Sequence, residues 1–125
     1  MTLLLDTHVF LWWLDDPQLL SESARRAISD PKNTVYLSAA VVWEIAIKRS
    51  IGKLDAPDDM EAAMRANRFL PLPVTVPHAL AVGRLPHHHR DPFDRILVAQ
   101  AIYEGCQLIS RDPWVLRYGM PHIVA

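Results

Sequence analysis

The sequence predicts an α/β fold with more helix than strand, built on a short, mainly parallel sheet. Three observations predict it. Short apolar or β-branched runs, TLLL (2–5), TVYLS (34–38) and QLIS (107–110), alternate with longer segments that carry helix punctuation. Strands alternating with helices imply a parallel sheet covered on both faces. The 125 residues, half of them hydrophobic, suit one domain spanning 1–125 with a sizeable core, and no repeat, low-complexity tract or linker divides them.

Each element follows from its residues. TLLL is the first strand and ends at Asp6. THVFLWWLDD has apolar residues at Val9, Phe10, Trp12, Trp13 and Leu14 and is stopped by Pro17, which reads as a short helix. SESARRAISDP is a second helix, capped by Ser21 and ended before Pro31. TVYLS is the second strand. Ser38 caps the helix AAVVWEIAI, which runs to about Gly52. PDDMEAAMRANR places Pro57 near a first turn with Asp58, Asp59 and Glu61 at its positive end. FLPLPVT (69–75) is a strand whose prolines confine it to a sheet edge. PHALAVGRL is another short helix. DPFDRILVAQAIYEG sets Asp91 at the N-cap, Pro92 and Asp94 in the first turn and Gly105 at the exit. QLIS is a strand, DPWVLRYG restarts a helical turn at Asp112, and HIV is a last short strand.

Composition narrows the function classes. A net charge of −1 gives no bulk signature of nucleic-acid binding, so any phosphate-binding surface is local. The lone cysteine, Cys106, excludes an internal disulfide and points to a reducing, cytoplasmic compartment. No leader-like segment opens the chain, and no apolar run approaches the roughly 20 residues that span a bilayer, so no membrane partner is expected.

Glu44 is the one charge in AAVVWEIAI. An unpaired buried carboxylate costs several kcal/mol, roughly, even after relaxation. Glu44 is therefore paired, with an arginine such as Arg95 or Arg111, or exposed, neutralised or bound to a cation. Other acids fall where parallel sheets bind ligands, beyond the carboxyl ends of strands: Asp6 after the first strand and Asp112 after QLIS. Asp91 and Asp94 open a helix. Singly, Asp6, Asp91 and Asp112 read equally well as helix caps, and Asp94 as a first-turn charge. Together they form a cluster in which two like charges ~5 Å apart repel by about 3 kcal/mol at an effective dielectric of ~20. A hard divalent cation relieves this, and oxygen-only ligands suit Mg²⁺ or Mn²⁺.

The HHHR stretch (87–90) is expected to be a solvated loop, since adjacent histidines do not share a helix face. His8 is expected at the surface or hydrogen-bonded. Phe10, Trp12 and Trp13 cannot all face inward on one short helix, so either an exposed patch for a partner or a finished core with one tryptophan near the surface follows.

LLLDTHVFLW, SAAVVWEIAIK, HRDPFDRILVAQA and LISRDPWV, in this order across nearly the whole chain, resemble the PIN-domain family, and within it the VapC-type toxins of bacterial toxin–antitoxin pairs. HRDPFDRILVAQA is the most specific of the four; residues 53–90 carry no diagnostic motif. The resemblance implies a three-layer α/β/α sandwich and a metal-dependent endoribonuclease using Mg²⁺ or Mn²⁺. Its acidic positions fall on Asp6, Glu44, Asp94 and Asp112, with Glu44 acting directly or through water. Thr7 and Ser110 match supporting hydroxyls, and Asp91 belongs to the DPFDR form of the third motif. Arg90, Arg95 and Arg111 neighbour the acids and are candidates to hold RNA phosphates, although Arg95 also suits a position pointing away along its helix. The resemblance further implies an RNA substrate, a cognate VapB-like antitoxin that blocks the acids, a homodimer, and contact with DNA only through the antitoxin. Two alternatives stand beside it. One is a catalytically silent relative that binds RNA or protein. The other is a Mg²⁺-binding receiver-type phosphoacceptor, which needs an acid pair after the first strand where this chain has one acid.

Overall fold

The computed structural model describes residues 1–125. Five parallel strands form one sheet in the order β3-β2-β1-β4-β5: β1 (Thr2–Leu5), β2 (Thr34–Ser38), β3 (Leu70–Leu72), β4 (Gln107–Ser110) and β5 (His122–Val124). β1 lies at the centre, pairing Leu4 with Tyr36 of β2 and with Leu108 of β4. Leu3, Leu4 and Leu5 are all fully buried although their side chains alternate between faces, so both faces of β1 are covered. The predicted α/β class and layered architecture hold.

Seven helices connect the strands: α1 (Thr7–Asp15), α2 (Glu22–Ser29), α3 (Ala39–Ser50), α4 (Met60–Ala66), α5 (Val76–Val82), α6 (Pro92–Glu104) and α7 (Pro113–Leu116). The side chains of Asp6, Ser21, Ser38, Asp91 and Asp112 cap α1, α2, α3, α6 and α7 as the sequence predicts. Gly105 closes α6 in the left-handed region at φ 68, which glycine adopts without the Cβ penalty.

Two elements differ in extent from expectation. α4 starts at Met60 rather than near Pro57, because Asp59 is the residue that accepts the backbone N–H of Ala62, while Asp58 pairs with Arg49. β3 is three residues long and ends before Pro73; with Pro71 in its middle it lies at a sheet edge as predicted.

Phe10 is fully buried, and Trp12 and Trp13 pack half-buried against the core, so α1 presents no large apolar patch, only part of Trp12 beside exposed His8. Trp13 donates its indole N–H to Asn67 at 3.0 Å. The exposed tryptophans are Trp43 and Trp114. Beneath α6 runs a buried polar chain. Ser38 donates to Gln100 (2.6 Å), Gln100 donates to the Pro73 carbonyl (3.2 Å), and buried His78 accepts the Thr75 N–H and meets Glu104 at 3.1 Å. This chain ties the C-terminal end of β2 to α6 and α5. It fixes α3 relative to α6, the two helices that carry Glu44 and Asp94.

Candidate active site

Asp6, Asp112 and Ser110 stand at the carboxyl ends of the two central strands β1 and β4, where caps and site coincide. Asp6 is buried, and one oxygen accepts the Val9 N–H at 2.9 Å. Burial pushes its pKa above the usual carboxylate value, and the neighbouring Asp112 adds to the rise. Hydrogen bonds from the Ser110 hydroxyl and from Val9 partly offset it. Ser110 also accepts the Asp112 N–H at 3.1 Å, so one buried hydroxyl positions both acids.

Asp94 sits in the first turn of α6. Burial, then the charges of Asp91 and Asp112, push its pKa up to about 6, against a partial offset from His89. Asp91 is the exposed cap, accepting the N–H groups of Phe93 (2.9 Å) and Asp94 (3.2 Å).

Glu44 is buried and doubly bonded. Thr7 donates its hydroxyl to Oε1 at 2.5 Å, and Lys48, one turn on, meets Oε2 at 2.6 Å. The arginine pairing considered from the sequence is not formed; the partner is a lysine at i+4 on the same helix face. Glu44 raises the Lys48 pKa, and Asp91 and Asp94 add to the effect, so Lys48 faces the acids of α6. The signal for Lys48 was the Glu-Ile-Ala-Ile-Lys spacing itself.

Of the three arginines, Arg95 is not placed to hold phosphate. It is buried, and its guanidinium donates to the carbonyls of Pro86 (2.8 Å) and Val82 (3.3 Å) and to the Tyr118 hydroxyl (2.9 Å). Successive helix residues lie about 100° apart, so the neighbour of Asp94 points into the protein. The Tyr118 hydroxyl also meets His89 Nδ1 (2.9 Å), and His89 Nε2 meets Asp94 Oδ2 (3.1 Å). Arg95 thus orients Asp94 through two intermediaries. His89 is half-buried and stacked on Trp114, so the histidine stretch is not wholly a solvated loop; His87 and Arg90 are exposed. Arg95→Ala is expected to remove about 2–3 kcal/mol of stability, because buried partners lose a charged donor. Urea denaturation of the variant beside wild type measures the loss.

Arg111 is exposed and lies 4.4 Å over the Trp12 ring, with bonds to the carbonyls of Leu19 and Ala125. With Asp6, His8, Trp12 and Asp112 it lines a cavity of about 280 Å³. No three His, Cys, Asp or Glu side chains close into a metal cage. Mg²⁺ and Mn²⁺ do not need one, because they keep several waters and take one or two carboxylates directly. Asp6 and Asp94, whose pKa values are raised by burial and further by the charge of Asp112, suit such a cation.

A family model for the PIN domain matches residues 3–119. The chain belongs to the PIN-domain family. It is 32% identical over 119 residues to Ribonuclease VapC22 of Mycobacterium tuberculosis, covering 89% of this chain and 87% of that one. Over 73 residues it is 35% identical to Ribonuclease VapC16 of the same organism, covering 54% and 52%. Among solved structures it resembles VapBC2 from Rickettsia felis bound to a promoter DNA fragment, with a TM-score of 0.73, 14% identity and 98% of each chain covered. VapBC-1 from nontypeable Haemophilus influenzae gives a TM-score of 0.66 at 17% identity, covering 98% and 97%. These structures share the fold. Membership of the PIN family removes the receiver-type alternative.

In this PIN domain, Asp6, Asp112 and Ser110 meet at the centre of the sheet, Glu44 joins them through Thr7, and Lys48 bridges Glu44 toward Asp94 and Asp91. No helix is long and apolar enough to cross a membrane.

Proposed function

We propose that this PIN domain, residues 1–125, is a cytoplasmic endoribonuclease that hydrolyses RNA phosphodiester bonds with Mg²⁺ or Mn²⁺ and serves as the toxin of a VapBC-type pair. The observation that carries the proposal is the gathering of carboxylates at the ends of β1 and β4 and the start of α6, among which burial raises the pKa of Asp6 and Asp94. The ribonuclease names of the relatives agree with it.

Asp6, Asp94 and Asp112 would hold the cation, with Glu44 direct or through water. When bound, the cation lowers the pKa of water and neutralises charge on phosphoryl oxygens. The protein's own residues do the rest. Ser110 and Val9 fix Asp6, His89 fixes Asp94, and the Trp114 N–H fixes Asp112 at 2.9 Å. Thr7 and Lys48 hold the Glu44 carboxylate in place, where it would accept a hydrogen bond from a water in line with the leaving 3′ oxygen. Arg111 supplies positive charge at the rim for a neighbouring phosphate, and exposed Arg90 does so beside Asp91.

An antitoxin partner is supported by the VapBC complexes among the structural neighbours and by an apolar cleft of about 480 Å³. Ala39, Ala40, Trp43, Val74, Phe93 and Ile96 line it, between the helices that carry Glu44 and Asp94. An amphipathic helix seated there would lie over the acids. A homodimer is also proposed, to be checked by light scattering.

The test is cleavage of total cellular RNA by the purified protein with Mg²⁺, Mn²⁺ or EDTA, beside Asp6→Asn and Glu44→Gln. Discrete fragments that need metal and vanish in both variants are expected. Metal binding without cleavage of any RNA would favour the silent binding module.

A further inference from the structure

We infer that the wall formed by Trp12, His8 and Arg111 is a nucleotide subsite that stacks an unpaired RNA base beside the carboxylates. The inference rests on the ribonuclease reading and adds to it the residues that grip the substrate.

The cavity is lined by groups of unlike chemistry: the carboxylates Asp6 and Asp112, the rings of Trp12 and His8, and the Arg111 guanidinium. Trp12 and His8 are one helical turn apart on α1, with ring centroids at 5.8 Å, so their rings line the same side. The Arg111 guanidinium is stacked on the indole and held from behind by backbone oxygens of Leu19 and Ala125. Its plane is thus fixed over an aromatic face at the wall of the cavity.

The volume, about 280 Å³, lies at the lower end of small-molecule sites, which run from roughly 300 to 1,000 Å³. It suits one flat unit with an anionic group. A nucleotide suits the aromatic and basic groups: its base stacks on rings or on a guanidinium plane, and its phosphate meets Arg111. A basic peptide side chain would match the carboxylates but be repelled by Arg111. A phosphate drawn to the acids by a cation also brings a base within reach of this wall.

The test uses fluorescein-labelled ten-nucleotide oligo(A) and oligo(U) RNAs and an all-abasic ribose-phosphate decamer. Affinity is read by anisotropy with Ca²⁺ in place of the catalytic ion. Trp12→Leu should bind the base-containing RNAs about tenfold more weakly, with the abasic decamer unchanged. Trp12→Phe should stay within about threefold of wild type, because it keeps a stacking face. Mn²⁺ affinity, followed by electron paramagnetic resonance, should match wild type in both variants. An undiminished preference for bases in Trp12→Leu would overturn the subsite. So would a parallel loss of Mn²⁺ affinity, which would make Trp12 a support for the acids. A wild-type protein that neither binds nor cuts RNA would instead remove the ribonuclease reading, and the subsite with it.

Discussion

Asp94→Asn is expected to abolish metal-dependent cleavage while raising the thermal stability of the metal-free protein near pH 8. Both effects come from one charge. In the folded chain the Asp94 pKa is about 6, pushed up first by burial and then by Asp91 and Asp112. The ordinary value is 3.8. The folded state therefore holds the Asp94 proton more tightly than the unfolded chain does. The stability this confers is complete below the unfolded value, is lost as the pH rises through about 6, and is absent at pH 8. Asparagine keeps the shape, and its side chain still meets His89, but it cannot ionise. The variant should melt higher than wild type at pH 8, and the difference should vanish by about pH 4. Calorimetry in EDTA at the two pH values measures this. Cleavage should fall by more than about a hundredfold, since even supporting partners of metal ligands account for 10–100-fold. Wild-type cleavage by the variant, or a lower melting temperature at pH 8, would falsify the assignment.

Lys48→Met should act in the opposite direction. It leaves the buried Glu44 carboxylate with Thr7 as its only bonded partner. Breaking a fully buried pair costs about 3–5 kcal/mol. Lys48 is 40% exposed at its side chain, so water screens part of that, and about 1–2 kcal/mol is expected. The double variant Glu44→Gln/Lys48→Met should recover most of the loss, because no charge is stranded. Glu44 holds the Lys48 pKa above its ordinary value, so the pair persists through neutral pH and its contribution fades only as the pH rises through that raised value. Mg²⁺ should raise the melting temperature more in Lys48→Met than in wild type, because the ion replaces a missing positive charge. A double variant no more stable than the single one would show that Lys48 acts through packing rather than charge.

The fold was legible wherever local chemistry settled the structure. Asp91, Pro92 and Gly105 bounded α6, Ser38 began α3, and the prolines sent FLPLPVT to the edge. The start of α4 was not legible, because Asp58 and Asp59 compete for the cap and a partner on another helix, Arg49, takes one of them. The acids at strand ends and helix starts were legible for the same local reason. What supports them was less so. The partner of Glu44 was in plain sight four residues on. The tie from Arg95 through Tyr118 and His89 to Asp94 joins residues separated by 5 to 29 positions, and no local pattern encodes it.

The ends of the sheet have a consequence for assembly. β3 presents Pro71, which has no N–H to offer an incoming strand. At the far side, Ser21 covers β5 by donating its hydroxyl to the Val124 carbonyl (2.7 Å) and its N–H to Ala125 (3.0 Å). Both margins thus offer fewer free backbone groups to an incoming strand, which disfavours growth of the sheet by strand addition from another chain.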